Sequence, residues 1–139
     1  MSASLIIDCS IAIAWCFSDE RSPVGDQVQD RLVDEIAIVP AHWFLEVTNV
    51  LAMAEKRGRI SVSDSALFLQ LIQEFAIEID DEIPARSFDH VLPLCRSQKL
   101  TSYDAAYLDL ALRRRLPLAT LDKELSRAAR ALGIEVVEN

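Results

Sequence analysis

Short apolar runs alternate along this chain with longer stretches of helical period. Ser4-Leu5-Ile6-Ile7 is the first run. Ile36-Ala37-Ile38-Val39, Ala76-Ile77-Glu78-Ile79, Leu118-Ala119-Thr120-Leu121 and Ile134-Glu135-Val136-Val137 follow. Each is apolar or alternating and is bounded by Pro, Gly or charge, which is the pattern of a short strand. Residues 42–57 place Trp43, Val47, Val50, Leu51 and Ala54 on one helical face, with Gly58 as a stop. Residues 63–75 carry Leu67, Leu71, Ile72 and Phe75 behind Ser63, which predicts an N-cap there. Residues 102–115 repeat the period with Tyr103, Tyr107, Leu110 and Ala111. Residues 123–132 do so with Leu125, Ala128, Ala129 and Leu132. Residues 85–98 also read as helix, split or kinked at Pro93.

Strands that alternate with helices predict an α/β fold. The sheet, of about five strands, is mainly parallel and covered on both faces, as in a three-layer α/β/α sandwich. In such a sheet ligands bind beyond the carboxyl ends of the strands, near the point where the strand order reverses. That edge is where chemistry is expected.

Four acids fall there. Asp8 follows the first strand directly, Asp122 follows the fourth in "LATLD", and Asp104 lies in the first turn of its helix in "LTSYDAAYLDLA". Glu46 lies near the start of the helix after the second strand, in "PAHWFLEVTNVL". Taken singly, each has a structural explanation. Asp8 and Asp122 suit N-caps, Thr101 to Asp104 fits a capping box, and Glu46 suits a helix dipole. As a set they are harder to explain that way. A cap position would take Ser, Thr or Asn as well, and Glu46 borders the apolar face of its helix. Converging carboxylates repel, so they need protons or a cation to coexist. Mg²⁺ or Mn²⁺ suits such oxygen ligands, and metal-assisted phosphodiester hydrolysis is the chemistry that follows. Ser10, Asn49 and Thr120 stand close in sequence to these acids and could orient ligands or waters, although local capping explains them equally well.

The bulk properties narrow the reading. The 139 residues fit one domain spanning 1–139, long enough to bury roughly two-thirds of the unfolded surface. The hydrophobic share is 51%, high enough to suggest a self-association or partner surface. The net charge of −8 argues against non-specific nucleic-acid binding through a basic face but is compatible with a cation site. Cys9, Cys16 and Cys95 form no C-x-x-C pair, which argues against a zinc ribbon and suits a reducing cytoplasm. The first apolar run has no Lys or Arg before it and is interrupted by Asp8, so a signal peptide is not expected. No stretch reaches the roughly 18 uninterrupted apolar residues of a membrane span.

The segments "LIIDCS", "PAHWFLEVTNVLAMAEKRGRI", "LTSYDAAYLDLA" and "LPLATLDKELSRAARALGI" together resemble PIN-domain ribonucleases, in particular the VapC-type toxins of bacterial toxin–antitoxin pairs. The resemblance covers nearly the whole chain, in the expected order. It implies that Asp8, Glu46, Asp104 and Asp122 form an acidic Mg²⁺ or Mn²⁺ site, with Ser10 as a hydroxyl neighbour. It implies endonucleolytic cleavage of RNA, such as tRNA or ribosomal RNA, by an activated water, with inhibition of translation and growth. It also implies a homodimer neutralised by a cognate VapB-like antitoxin. Cys9 occupies a variable position of the first motif and is given no role.

The remaining polar residues read as structural. Lys56, Arg57 and Arg59, and then Arg113, Arg114 and Arg115, close two helices and complement their dipoles, with RNA phosphates as the other possible use. Asp80, Asp81 and Glu82 read as a solvated turn. Trp15 and Trp43 read as core. His42 and His90 are too far apart in the pattern for a paired-histidine mechanism. The helices over 42–57 and 63–75 read as a hairpin whose "ALFLQLIQEF" face is apolar on more than one side, as a dimer mate or antitoxin would require. Three other readings compete. A receiver-like Mg²⁺-binding signalling domain would use Asp80 as phosphoacceptor but leaves Glu46 and Asp104 without a role. A D-x-D phosphatase lacks its second Asp, because Ser10 stands there. A PIN fold that binds RNA or protein without cutting has no use for four intact acids.

Overall fold

The computed structural model describes residues 2–138. β1 (Leu5–Ile7) leads into α1 (Cys9–Cys16), a 3-10 turn (Ser18–Glu20) and α2 (Pro23–Arg31). β2 (Ala37–Pro40), α3 (His42–Lys56), α4 (Val62–Gln73) and β3 (Ile77–Asp80) follow. α5 (Ile83–Arg86), a π-helical turn (Ser87–Val91) and α6 (Leu92–Gln98) run on from one another. α7 (Ser102–Arg114), β4 (Leu118–Ala119) and α8 (Lys123–Ala131) complete the fold. The strands form one all-parallel sheet in the order β3-β2-β1-β4. Every residue of β1 and β2 is buried, because helices cover both faces of the sheet.

This order positions the site. The chain steps outward from β1 to β2 to β3, then returns past β1 to place β4 on its other side, with Ile6 opposite Leu118 and Ile7 opposite Ala119. The strand order therefore reverses between β1 and β4, and the crevice beyond their carboxyl ends is where Asp8 and Asp122 emerge.

The sheet has four strands rather than five. The segment 134–137 makes only a single parallel bridge, Val136 to Leu118, through Leu118 N–H to Glu135 O and Val137 N–H to Leu118 O, each 2.9 Å. β4 offers two strand residues before Thr120 turns toward Asp8, so the ladder has nowhere to extend.

Two helices were not legible in the hydrophobic pattern. α1, CSIAIAWC, is apolar on all sides with Ile11, Ala12 and Ala14 buried, so it shows no period. α2 is short and polar, but Ser22 followed by Pro23 was a start signal: the Ser22 hydroxyl accepts from Gly25 N–H at 3.2 Å. The cap of α4 lies two residues before the expected one. Ser61, with extended backbone, accepts from Asp64 N–H at 3.0 Å, and Ser63 lies inside the helix. The break at Pro93 takes the form of the π turn just before it. Proline has no N–H and its ring crowds the carbonyl four residues back, so the helix widens there and continues.

α7 is buried over Ala105 to Ala111, and that run includes Asp109. The carboxylate of Asp109 accepts from Arg86 Nε at 2.8 Å and Arg113 Nε at 3.0 Å. Arg113 also donates to both oxygens of Asp80, at 3.1 and 2.8 Å, and to Glu82 at 2.9 Å. Two expectations are corrected here. Asp80 is not part of a solvated turn, being buried at 4% exposure. Arg113 is not an exposed dipole partner or phosphate contact but the centre of a buried ion-pair network. Arg59 is likewise engaged, by Asp19 and Glu20, and lies 3.8 Å over the Phe17 ring. Among the described residues no helix is long and apolar enough to cross a membrane.

Candidate functional site

Asp8 leaves β1 with extended backbone and caps α1, its Oδ1 accepting from Ser10 N–H at 3.0 Å. The Ser10 hydroxyl donates to the same oxygen, and the Thr120 hydroxyl donates to Oδ2. Both hydroxyls accept as well: Ser10 Oγ takes Leu121 N–H at 2.8 Å, and Thr120 Oγ1 takes Asp122 N–H at 3.0 Å. The ends of β1 and β4 are thus stitched together through Asp8. Ser10 and Thr120 therefore hold both Asp8 and the turn that carries Asp122.

Asp122 caps α8 through Leu125 N–H at 2.9 Å. Asp104 sits in the first turn of α7, whose Thr101 cap accepts from Asp104 N–H at 3.3 Å. Glu46 lies one turn into α3, where Tyr107 O–H donates to its Oε1 at 2.5 Å. The caps read at Asp8, Thr101 and Asp122 are present, and each leaves a carboxylate at the same edge. Asn49 is different. It is exposed on α3, and among the described residues no hydrogen bond links it to the four acids.

Burial raises three of these acids, and repulsion from a neighbour in the set adds to each. Burial pushes Asp8 up to about 6, against the lowering by Ser10, Thr120 and the Ile11 N–H, and Glu46 adds to the push. Glu46 is raised, by burial first and then by Asp104, while Tyr107 and His42 oppose the shift. Asp104 is raised by burial and by Asp122, with His42 opposing. The chain of repulsion runs Asp8–Glu46–Asp104–Asp122. Among the described residues no Lys or Arg forms an ion pair with any of them, and the one basic neighbour is His42, 3.6 Å from Glu46. Asp80 and Asp109, by contrast, are neutralised by arginine.

The sequence reading passed over His42 and Tyr107. His42 lies 2.9 Å from the Tyr103 carbonyl oxygen, and its ring packs on Tyr103 and Tyr107. Their sequence signal is weak, because Tyr107 shares the apolar period of α7 and His42 has no second histidine near it in the pattern.

Residues 5–131 match the model of the PIN domain. The chain belongs to the PIN-domain family. PIN domains are in general nucleases, hydrolases acting on nucleic acids, and typically use divalent metals. No curated protein matches the chain. Among solved structures, this PIN domain is similar to PAE2754 from Pyrobaculum aerophilum, with a TM-score of 0.70 and 22% identity over 92% of this chain and 87% of that one. It is also similar to a domain of a functionally unknown protein from Methanocaldococcus jannaschii DSM 2661, with a TM-score of 0.54 and 17% identity over 99% and 93% of the two chains. At these identities the likeness concerns the fold.

The donor set of this PIN domain suits a hard cation, being all carboxylate and hydroxyl oxygen. Among the described residues no three His, Cys, Asp or Glu side chains stand close enough to enclose an ion.

Proposed function

We propose that this protein is a metal-dependent endoribonuclease of the VapC toxin type, whose site is Asp8, Glu46, Asp104 and Asp122. The observation that carries the reading is the contrast between two sets of acids. The buried carboxylates of Asp80 and Asp109 are neutralised by Arg86 and Arg113. The four at the β1/β4 edge repel one another without an arginine or lysine partner among the described residues. A protein retains such a cluster at a cost in stability, and a divalent cation removes that cost.

The four carboxylates would hold Mg²⁺ or Mn²⁺ directly or through water. When bound, the cation lowers the pKa of a coordinated water and polarises a phosphoryl oxygen. Ser10 and Thr120 orient Asp8 by donating to its two oxygens, and the Asp122 and Asp104 carboxylates stand at helix starts where the backbone fixes them. Asn49, one turn beyond Glu46 and exposed, would meet an incoming strand rather than orient Asp8. The substrate in this reading is RNA, with tRNA or ribosomal RNA as the target class.

The toxin role rests on the resemblance of the four motif segments. A homodimer and a basic, VapB-like antitoxin fit the exposed apolar side chains of Leu45, Leu67 and Phe88 together with the net charge of −8. Three free thiols fit a cytoplasmic protein. The receiver reading gains nothing, because both oxygens of Asp80 are held by Arg113.

Incubating the purified protein with single-stranded RNA and single-stranded DNA of matched sequence, in Mg²⁺ and in EDTA, tests the assignment. Metal-dependent internal cuts in RNA are expected. Cleavage of DNA alone would overturn the substrate class, and binding without cutting would favour the non-cleaving alternative.

A further inference from the structure

α3 starts without a side-chain cap, because Ala41 stands at that position. The next residue, His42, reaches across to α7 instead. Its Nε2 lies 2.9 Å from the main-chain oxygen of Tyr103, and since a carbonyl only accepts, Nε2 carries the proton and donates. The ring stands edge-on to Tyr107, with centroids 5.3 Å apart. Tyr107 is 1% exposed, so its ring is fixed by packing, and its hydroxyl donates to Glu46 Oε1 at 2.5 Å. His42 Nε2 approaches the same oxygen at 3.6 Å. The two helices that carry Glu46 and Asp104 are therefore cross-linked over their first two turns, and the link ends on one oxygen of one site carboxylate.

We propose that His42 and Tyr107 are positioning residues that commit Glu46 Oε1 and leave Oε2 as the oxygen presented to a divalent cation. This rests on the acidic edge being a cation site. A glutamate has three side-chain torsions to freeze, and a clamp already made in the free protein spares that loss on binding. Removing such an outer partner from a ligand characteristically weakens metal affinity by about ten- to a hundredfold.

The test is the dissociation constant for Mn²⁺, read from the paramagnetic resonance signal of the free ion. The proteins compared are wild type, Tyr107→Phe, His42→Ala, His42→Gln and Glu46→Gln, each checked for folding by circular dichroism. Tyr107→Phe is expected to bind about ten- to a hundredfold more weakly. His42→Ala weakens binding in the same sense, and His42→Gln restores much of it, because its amide can still donate to the Tyr103 carbonyl. Wild-type affinity in Tyr107→Phe and His42→Ala, with Glu46→Gln weakened, overturns the clamp and leaves the cation site standing. No Mn²⁺ binding by wild type, or no effect of Glu46→Gln, overturns the site itself. Should Tyr107→Phe not fold, the His42→Ala and His42→Gln pair decides the same question.

Discussion

At the residue scale Asp8 and Asp122 each cap a helix and, in the proposed reading, belong to a cation site, and substitution can separate the two roles. Asp122 caps α8 and ends the chain of repelling carboxylates. Asparagine caps about as well as aspartate, whereas alanine does not, so Asp122→Asn should keep wild-type stability while Asp122→Ala loses about 1 kcal/mol. Both should lose most metal-dependent cleavage. Urea titrations beside a cleavage assay separate the roles, and an active Asp122→Asn would return this residue to capping alone. Asp8 carries a different cost. Its carboxyl is raised by burial from 3.8 to about 6, so the folded protein holds a proton that the unfolded chain releases between those values. Stability from this residue is therefore greatest below about pH 4 and falls as pH rises to 6. At neutral pH the penalty is about 3 kcal/mol, at roughly 1.4 kcal/mol per pKa unit. Asp8→Asn should accordingly be inactive yet more stable than wild type at pH 7.5, with the difference vanishing near pH 4. Equal or lower stability at pH 7.5, in melts without added metal, would contradict that account. The placement of Asp8, Asp104 and Asp122 was legible in the sequence because caps and strand ends have strong local signals, whereas Glu46 lies inside α3 and has no such signal. Asn49 was not placed well, since one helical turn from Glu46 fixes its height on α3 but not its direction.

At the element scale the parallel order follows from the alternation of apolar runs and amphipathic helices. The missing pieces have physical reasons. α1 is too uniformly apolar to show a period, and 134–137 has the composition of a strand but meets a β4 too short to pair with. The larger surprise is the network around Arg113. A buried α7 carries Asp109 into the interior, and no periodicity reveals that Arg86 and Arg113 follow to neutralise it, because the partners lie 23 and 4 residues away. Side chains of Asp80 and Asp109 are only 3% and 4% exposed. Arg113→Met would leave them short of a partner, so it should lower stability by about 3–5 kcal/mol. Cleavage per folded molecule should stay near wild type, since the network is separate from the β1/β4 edge. A loss under about 1 kcal/mol in denaturant titration would mean that these pairs are far more solvated than their geometry indicates.

At the scale of the whole molecule, charge and exposed apolar surface point to partners. Phe88 is 86% exposed, Leu45 72% and Leu67 65%. Such side chains on different helices suit burial against a second copy or an antitoxin. Light scattering at micromolar concentration should give a dimer, and a monodisperse monomer would contradict self-association. In the proposed reading the net charge of −8 is no obstacle to a nuclease, because its acids would gather a cation at one edge and the site would depend on that cation. The most direct measurement is therefore cleavage of total cellular RNA by the purified protein in Mg²⁺, Mn²⁺ and EDTA, with Asp104→Asn run beside wild type. Discrete fragments that appear only with metal and disappear in the variant are the predicted result. Folded, antitoxin-free protein that cuts nothing, or cuts equally well in EDTA or as Asp104→Asn, would contradict a metal-dependent acidic site.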